Sequence, residues 1–156
     1  LHWASDFSAA HLSAALDGMD ILMGAPELLP SPQVKTRGIH LLGEWYGCDF
    51  SAPALHDAKT LRVVCLFVTK NSGLQIVGDA FHQFEPEGVI GTVLHTESHL
   101  SIHTWPETKF VTIDVYMCNC LEDNTRKAPK LYSALRAYFQ PVRENFSQVP
   151  RGNQHE

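Results

Sequence analysis

Phe110-Val-Thr-Ile-Asp-Val-Tyr-Met-Cys118 decides the fold, because apolar and polar residues alternate through it with a period of two. That period predicts a strand with one buried and one open face. Upstream, Pro106-Glu-Thr-Lys109 reads as a turn, and His95 to Glu107 reads as strand despite its many polar groups. Val89–Leu94 and the strand-like Leu74–Phe84 flank a Pro86/Gly88 turn. Consecutive strands joined by short turns form an antiparallel meander.

Further out, Gly38–Gly47 predicts another strand, in which Glu44 is flanked by aromatics and faces either a site or solvent. Leu55, Ala58, Leu61, Cys65 and Val68 follow a helical period, with Asp49 and Ser51 as cap candidates and Asn71-Ser72-Gly73 as the stop. Downstream, a helix starting near Pro129 carries a stripe of Leu131, Leu135, Tyr138 and Phe139. Pro141 ends it, Val142–Val149 adds a strand, and Arg151–Glu156 reads as a polar tail. An antiparallel sheet with helices packed on one face is the α+β class. Residues 37–156 form the expected domain. Residues 1–36 read as an extension, with a short helix over 8–24 and a linker around Pro26, Pro30 and Pro32.

With 156 residues the chain fits one domain. Its net charge of −5 and the lack of any Lys/Arg cluster argue against nucleic acid. No apolar run is long enough to span a membrane, and residues 1–30 lack the pattern of a signal peptide. Cys48, Cys65, Cys118 and Cys120 lack zinc-site spacing, so the expectation is a reduced, cytoplasmic protein.

The stretch His95-Thr-Glu-Ser-His-Leu-Ser-Ile-His-Thr-Trp-Pro-Glu107 packs three histidines, two serines and two glutamates into thirteen residues. Each buried polar group without a partner costs roughly 1–3 kcal/mol, which marks the stretch as a site. On a helix, His95, His99 and His103 would share a face as metal ligands; on one strand they spread over ~26 Å, so no metal is expected. Ser98 lacks the Gly-x-Ser-x-Gly elbow of a serine hydrolase. Ser98 and His103 would point to opposite faces of an uninterrupted strand, a conflict that a break at Ser98 removes.

Glu97-Ser-His-Leu-Ser-Ile-His-Thr-Trp-Pro-Glu107 resembles the signature of the prokaryotic S-adenosylmethionine decarboxylase proenzymes, which use a pyruvoyl group. The likeness extends through Phe81-His-Gln-Phe84, Pro86, Gly88-Val89 and Gly91, through Ile113-Asp114 and Cys118, and through Gly38-x-His40-Leu41 and Glu44-x-Tyr46-x-Cys48-Asp49. It covers roughly residues 38–152. The resemblance implies a two-layer sandwich, a homodimer and self-cleavage between Glu97 and Ser98. Ser98 Oγ would attack the Glu97 carbonyl to give an ester, and elimination and hydrolysis would leave a pyruvoyl group derived from Ser98. That group can form a Schiff base with a substrate amine and accept the electrons released with carbon dioxide.

The resemblance further implies that His103 serves processing and Cys118 protonates the α-carbon. It implies that Phe84 stacks on adenine and Glu107 binds ribose hydroxyls, with Trp105 walling the site and Glu44 adding negative charge. Where the family pattern has Ser or Thr before Gly91, this chain has Ile90, and Thr92 lies two residues on. The expected activity is conversion of S-adenosylmethionine to its decarboxylated form in polyamine biosynthesis. Arginine or ornithine is the alternative substrate, and an unprocessed homologue with a binding or regulatory role is the non-enzymatic one.

Overall fold

The computed structural model describes residues 36–119 and 124–153. The expected helix over 8–24, the proline linker and Cys120 lie outside the described residues. Strands β1 (Thr36–Tyr46), β2 (Ile76–Gln83), β3 (Val89–His95), β4 (Ser98–Trp105), β5 (Phe110–Cys118) and β6 (Arg143–Asn153) form one antiparallel sheet in the order β2-β3-β4-β5-β1-β6. Helices α1 (Ala58–Asn71) and α2 (Lys127–Phe139) cover one face, α1 against β2 and β3, α2 against β1 and β5. The result is the two-layer α+β sandwich expected.

The alternation in β5 does what its sequence requires: Val111, Ile113, Val115 and Met117 are buried under the helices, while Thr112, Asp114 and Tyr116 lie on the open face. Leu61, Val64, Cys65 and Val68 of α1 and Leu131, Tyr132, Leu135 and Phe139 of α2 complete the core. Burying each such aliphatic side chain contributes ~1.5–3 kcal/mol. Trp45 Nε1 donates to Tyr132 Oη and Glu144 Oε1, both at 3.0 Å, and Arg136 Nε donates to Glu144 Oε2 at 2.7 Å. Tyr132 Oη also donates to Glu144 Oε1, and against the burial of Glu144 the bonds from Tyr132, Arg136 and Trp45 hold its carboxyl below the usual range. They pin β6 to α2 and β1.

Two boundaries differ from the sequence reading. Helix α1 is capped by Asp57, which accepts from Thr60 N at 2.7 Å, rather than by Asp49 or Ser51. Pro53–Leu55 forms a separate 3-10 turn and Asp57 returns to an extended conformation, so the helix starts afresh there. Asp49 and Ser51 bond each other instead, Ser51 Oγ donating at 2.7 Å. Strand β6 runs on to Asn153 because it pairs with β1 back to Thr36; Arg151 therefore belongs to the sheet rather than to a tail. Pro150 is tolerated in it because β6 is an edge strand.

Gly91 and Phe81, both part of the family-like pattern, are cross-strand partners. The Phe81 ring occupies the space that a Cβ on residue 91 would take. Here the glycine is required by packing rather than by its backbone angles.

Candidate active site

Strand β3 ends at His95 and β4 begins at Ser98, leaving Thr96 and Glu97 as a two-residue turn, with His95 paired to Ser98. Two-residue hairpins ordinarily place Gly or Asn at positive φ within the loop. Neither turn residue does so here. Ser98 itself takes φ +147°, a conformation that costs a non-glycine residue ~1–3 kcal/mol. The backbone does depart from regular strand at Ser98, yet the register from Ser98 to Trp105 is continuous, so the departure does not bring Ser98 to His103. The turn also corrects the single-strand view of the three histidines: His95 is buried under the helices, whereas His99 and His103 lie on the open face of β4.

The Glu97 carbonyl oxygen accepts a hydrogen bond from Cys118 N at 2.8 Å. Ser98 Oγ lies 3.2 Å from His99 Nδ1. The serine is half-buried beside Met117, its partner on β5, with the half-buried Cys118 next in sequence. His99 packs against Tyr116 (5.8 Å between centroids) and His40 (6.4 Å). His40 Nδ1 sits 3.1 Å from Arg151 Nη1, and its Nε2 lies 3.4 Å from Asp114 Oδ1, within ion-pair range but outside hydrogen-bond geometry. Burial lowers His40 below its ordinary value; Asp114 opposes that shift, and Arg151 and His99 add to it. The Ser98 hydroxyl, borne by the residue that supplies the nitrogen of the Glu97–Ser98 amide, is of the kind that can add to that carbonyl, whose oxygen is already held by an N–H.

His103 lies elsewhere. It stands five residues along β4 from Ser98, roughly 16 Å by strand rise. Its ring stacks on Trp105 (3.6 Å) and Phe84 (5.2 Å). Burial lowers its pKa and Glu107 partly offsets the shift. Phe84, Glu87, His103, Thr104, Trp105 and Glu107 line a shallow pocket of about 230 Å³. The fold therefore brings Phe84, His103, Trp105 and Glu107 together, and separately Glu97, Ser98 and Cys118.

Glu44 joins neither group. It is on the open face, where Asn145 Nδ2 (2.9 Å) and Tyr46 Oη (2.8 Å) donate to its carboxylate and lower its pKa. With Asp114, Thr112, Asn145 and Ser147 it lines a groove of about 500 Å³. Ile90 is exposed on the same face, paired with His103. Thr92 does not stand beside that histidine: its hydroxyl donates to Leu100 O at 2.9 Å and accepts from Ser101 Oγ at 3.1 Å.

Sequence reasoning missed His99, although its adjacency to Ser98 was the available signal. It had no means of finding the Cys118 N–H, which every residue but proline carries.

A two-layer α+β sandwich with a serine at φ +147° beside a hydrogen-bonded carbonyl defines the class of fold and site. A sequence model of the S-adenosylmethionine decarboxylase family matches residues 39–152, and the chain belongs to that family. It is 39% identical over 119 residues to the S-adenosylmethionine decarboxylase proenzyme of Bacillus velezensis, covering 76% of this chain and 89% of that one. Against the proenzyme of Anoxybacillus flavithermus it is 40% identical over 119 residues, covering 76% and 90%. The crystal structure of adenosylmethionine decarboxylase from Aquifex aeolicus superposes with a TM-score of 0.69 at 33% identity, covering 78% of this chain and 96% of that chain.

Proposed function

We propose that this chain is a proenzyme that cleaves itself between Glu97 and Ser98 and then decarboxylates S-adenosylmethionine in the cytoplasm, within polyamine biosynthesis. The observation that carries the reading is the Cys118 N–H on the Glu97 carbonyl oxygen, beside a serine at φ +147°. As Ser98 Oγ adds to the Glu97 carbonyl carbon, negative charge develops on an oxygen that already has its donor. Strain of ~1–3 kcal/mol at Ser98 is released when the adjoining amide breaks.

The pyruvoyl group made from Ser98 supplies an electrophilic carbonyl that binds the substrate amine and takes up the electron pair left by carbon dioxide. The other steps belong to side chains. Cys118, next to Ser98's cross-strand partner, delivers a proton to the α-carbon. Phe84 and Trp105 offer ring faces to the adenine, Glu107 accepts from the ribose hydroxyls, and His103 between the rings moves protons. Glu44 supplies negative charge from the neighbouring groove, suited to a sulfonium substrate.

One active site needs both groups, yet they stand at opposite ends of β4. A homodimer joins them: a two-fold axis through the open face near Ser101 places the Ser98/Cys118 end of one copy against the Phe84/His103/Glu107 end of the other. Exposed Ile90, Leu94 and Val149 on that face are the apolar surface such a contact would bury. Ile90 beside His103 also motivates a second substrate reading, arginine or ornithine, since an apolar wall replaces a hydroxyl there.

Intact mass of the purified protein tests the cleavage. Two chains meeting at residues 97 and 98, the second blocked by a pyruvoyl group, are expected; a chain that stays whole on long incubation overturns the proposal. Carbon dioxide release from S-adenosylmethionine, arginine and ornithine, measured side by side, decides the substrate.

A further inference from the structure

Within one protomer, the histidine that the family pattern associates with processing is not the one beside the serine. His99 Nδ1 is 3.2 Å from Ser98 Oγ, whereas His103 is held between Phe84 and Trp105 at the far end of the strand. We infer that His99 is the catalytic base of the first step of self-cleavage, taking the Ser98 hydroxyl proton as Oγ adds to the Glu97 carbonyl carbon. This inference rests on the self-cleavage proposed above.

The step balances without water or any redox partner. The Oγ–H bond breaks, its proton goes to Nδ1, and an Oγ–C bond forms to Glu97. The carbonyl electron pair moves onto the oxygen held by Cys118 N–H. The Glu97 C–N bond then breaks, and the His99 proton passes to the departing Ser98 nitrogen. The product is an isomer of the precursor, an ester with a free amine, poised for the elimination that follows. A neighbouring imidazole suits both transfers, since it can accept a proton and return it near neutral pH.

The surroundings of His99 favour this use. Tyr116 of β5 and His40 of β1 pack against its ring, which fixes its plane. The charged and titratable groups behind them are Arg151 of β6, over the Tyr116 ring at 5.3 Å, and Asp114, while the buried His95 lies across the hairpin. Arg151 approaches from the His40 side, so a positive charge already stands near the pair of imidazoles. His40 and Arg151 are positioning residues in this scheme; of the three, His99 alone touches a reacting atom.

The full-length chain, made by cell-free translation and followed by intact mass, provides the test, with hydroxylamine as the probe because it cuts esters and spares amides. Self-cleavage of His99→Gln and His99→Ala is expected to be about 10²–10⁴-fold slower than that of the parent chain. The precursor that accumulates should be an amide, resistant to hydroxylamine, and added imidazole should restore part of the rate to His99→Ala. Far-ultraviolet circular dichroism of the accumulated precursor selects the folded variant, and His99→Gln preserves much of the ring's shape. Cleavage of a folded His99 variant at the parent's rate overturns the inference, as does accumulation of a hydroxylamine-sensitive ester. Ser98→Ala separates the two proposals: if it still cleaves, the self-cleavage reading fails, whereas an inert Ser98→Ala with a freely cleaving His99→Ala removes only the role of His99.

Discussion

His95 is 3% exposed under the helices, and neither of its ring nitrogens has a hydrogen-bond partner among the described residues. Desolvation lowers its pKa to about 4; the nearby His99 ring adds to the shift and the His99 backbone opposes it weakly. An unfolded chain exposes this imidazole at a value near 6.5. Between those values the unfolded state binds a proton that the folded state refuses, so stability is full above pH 6.5 and is lost as pH falls towards 4. The loss from this one residue between pH 7.5 and pH 5 is roughly 2 kcal/mol, since a tenfold difference in proton affinity between the two states corresponds to ~1.4 kcal/mol. We predict that His95→Leu, a change to a side chain of similar volume with no polar atoms, removes this share of the acid sensitivity and gains about 1 kcal/mol at neutral pH. The comparison belongs in a Ser98→Ala background, in which the chain is expected to stay whole, with urea unfolding at fixed protein concentration. Other histidines cancel in the difference between the variants. Parallel stability-versus-pH curves with and without His95→Leu would show that the imidazole is not the buried, unpartnered group described.

Other predictions are simpler. Cys118→Ala should leave self-cleavage largely intact, because the N–H on the Glu97 carbonyl is main chain, while cutting turnover by about 10²-fold or more if the thiol is the proton donor; uncleaved Cys118→Ala in the intact-mass assay would contradict this. Gly91→Ala drives a Cβ into the Phe81 ring and should cost about 1–3 kcal/mol, read as a lower urea midpoint with unchanged slope. Asp57→Ala removes the α1 cap and should cost about 1 kcal/mol, whereas Asp49→Ala, at the cap position expected from sequence, should leave α1 unaffected in the same assay.

Local pattern carried much of this molecule. The alternation in Phe110–Cys118, the stripe on α2 and the turn residues at Pro86 and Gly88 yield strands, a helix and a hairpin, because side-chain periodicity is a property of a short segment. A departure from regular strand at Ser98 was equally legible, since parity along a strand is simple arithmetic; the Glu97-Ser98 bond as the expected cutting point comes from the family resemblance. The α1 boundary was misread because local caps compete, and Asp57 won only once Pro53–Leu55 had formed its own turn.

Sequence alone therefore determined the α+β class, the family resemblance and the point at which the chain is expected to be cut. Tertiary structure decided what stands beside that point. Inserting β1 between β5 and β6 brings His40 and Arg151 towards His99, and pairing the Glu97 turn with β5 puts the Cys118 N–H on the Glu97 carbonyl. Pairing and register join residues far apart in the chain through interstrand hydrogen bonds, and one segment's periodicity carries no information about its partner.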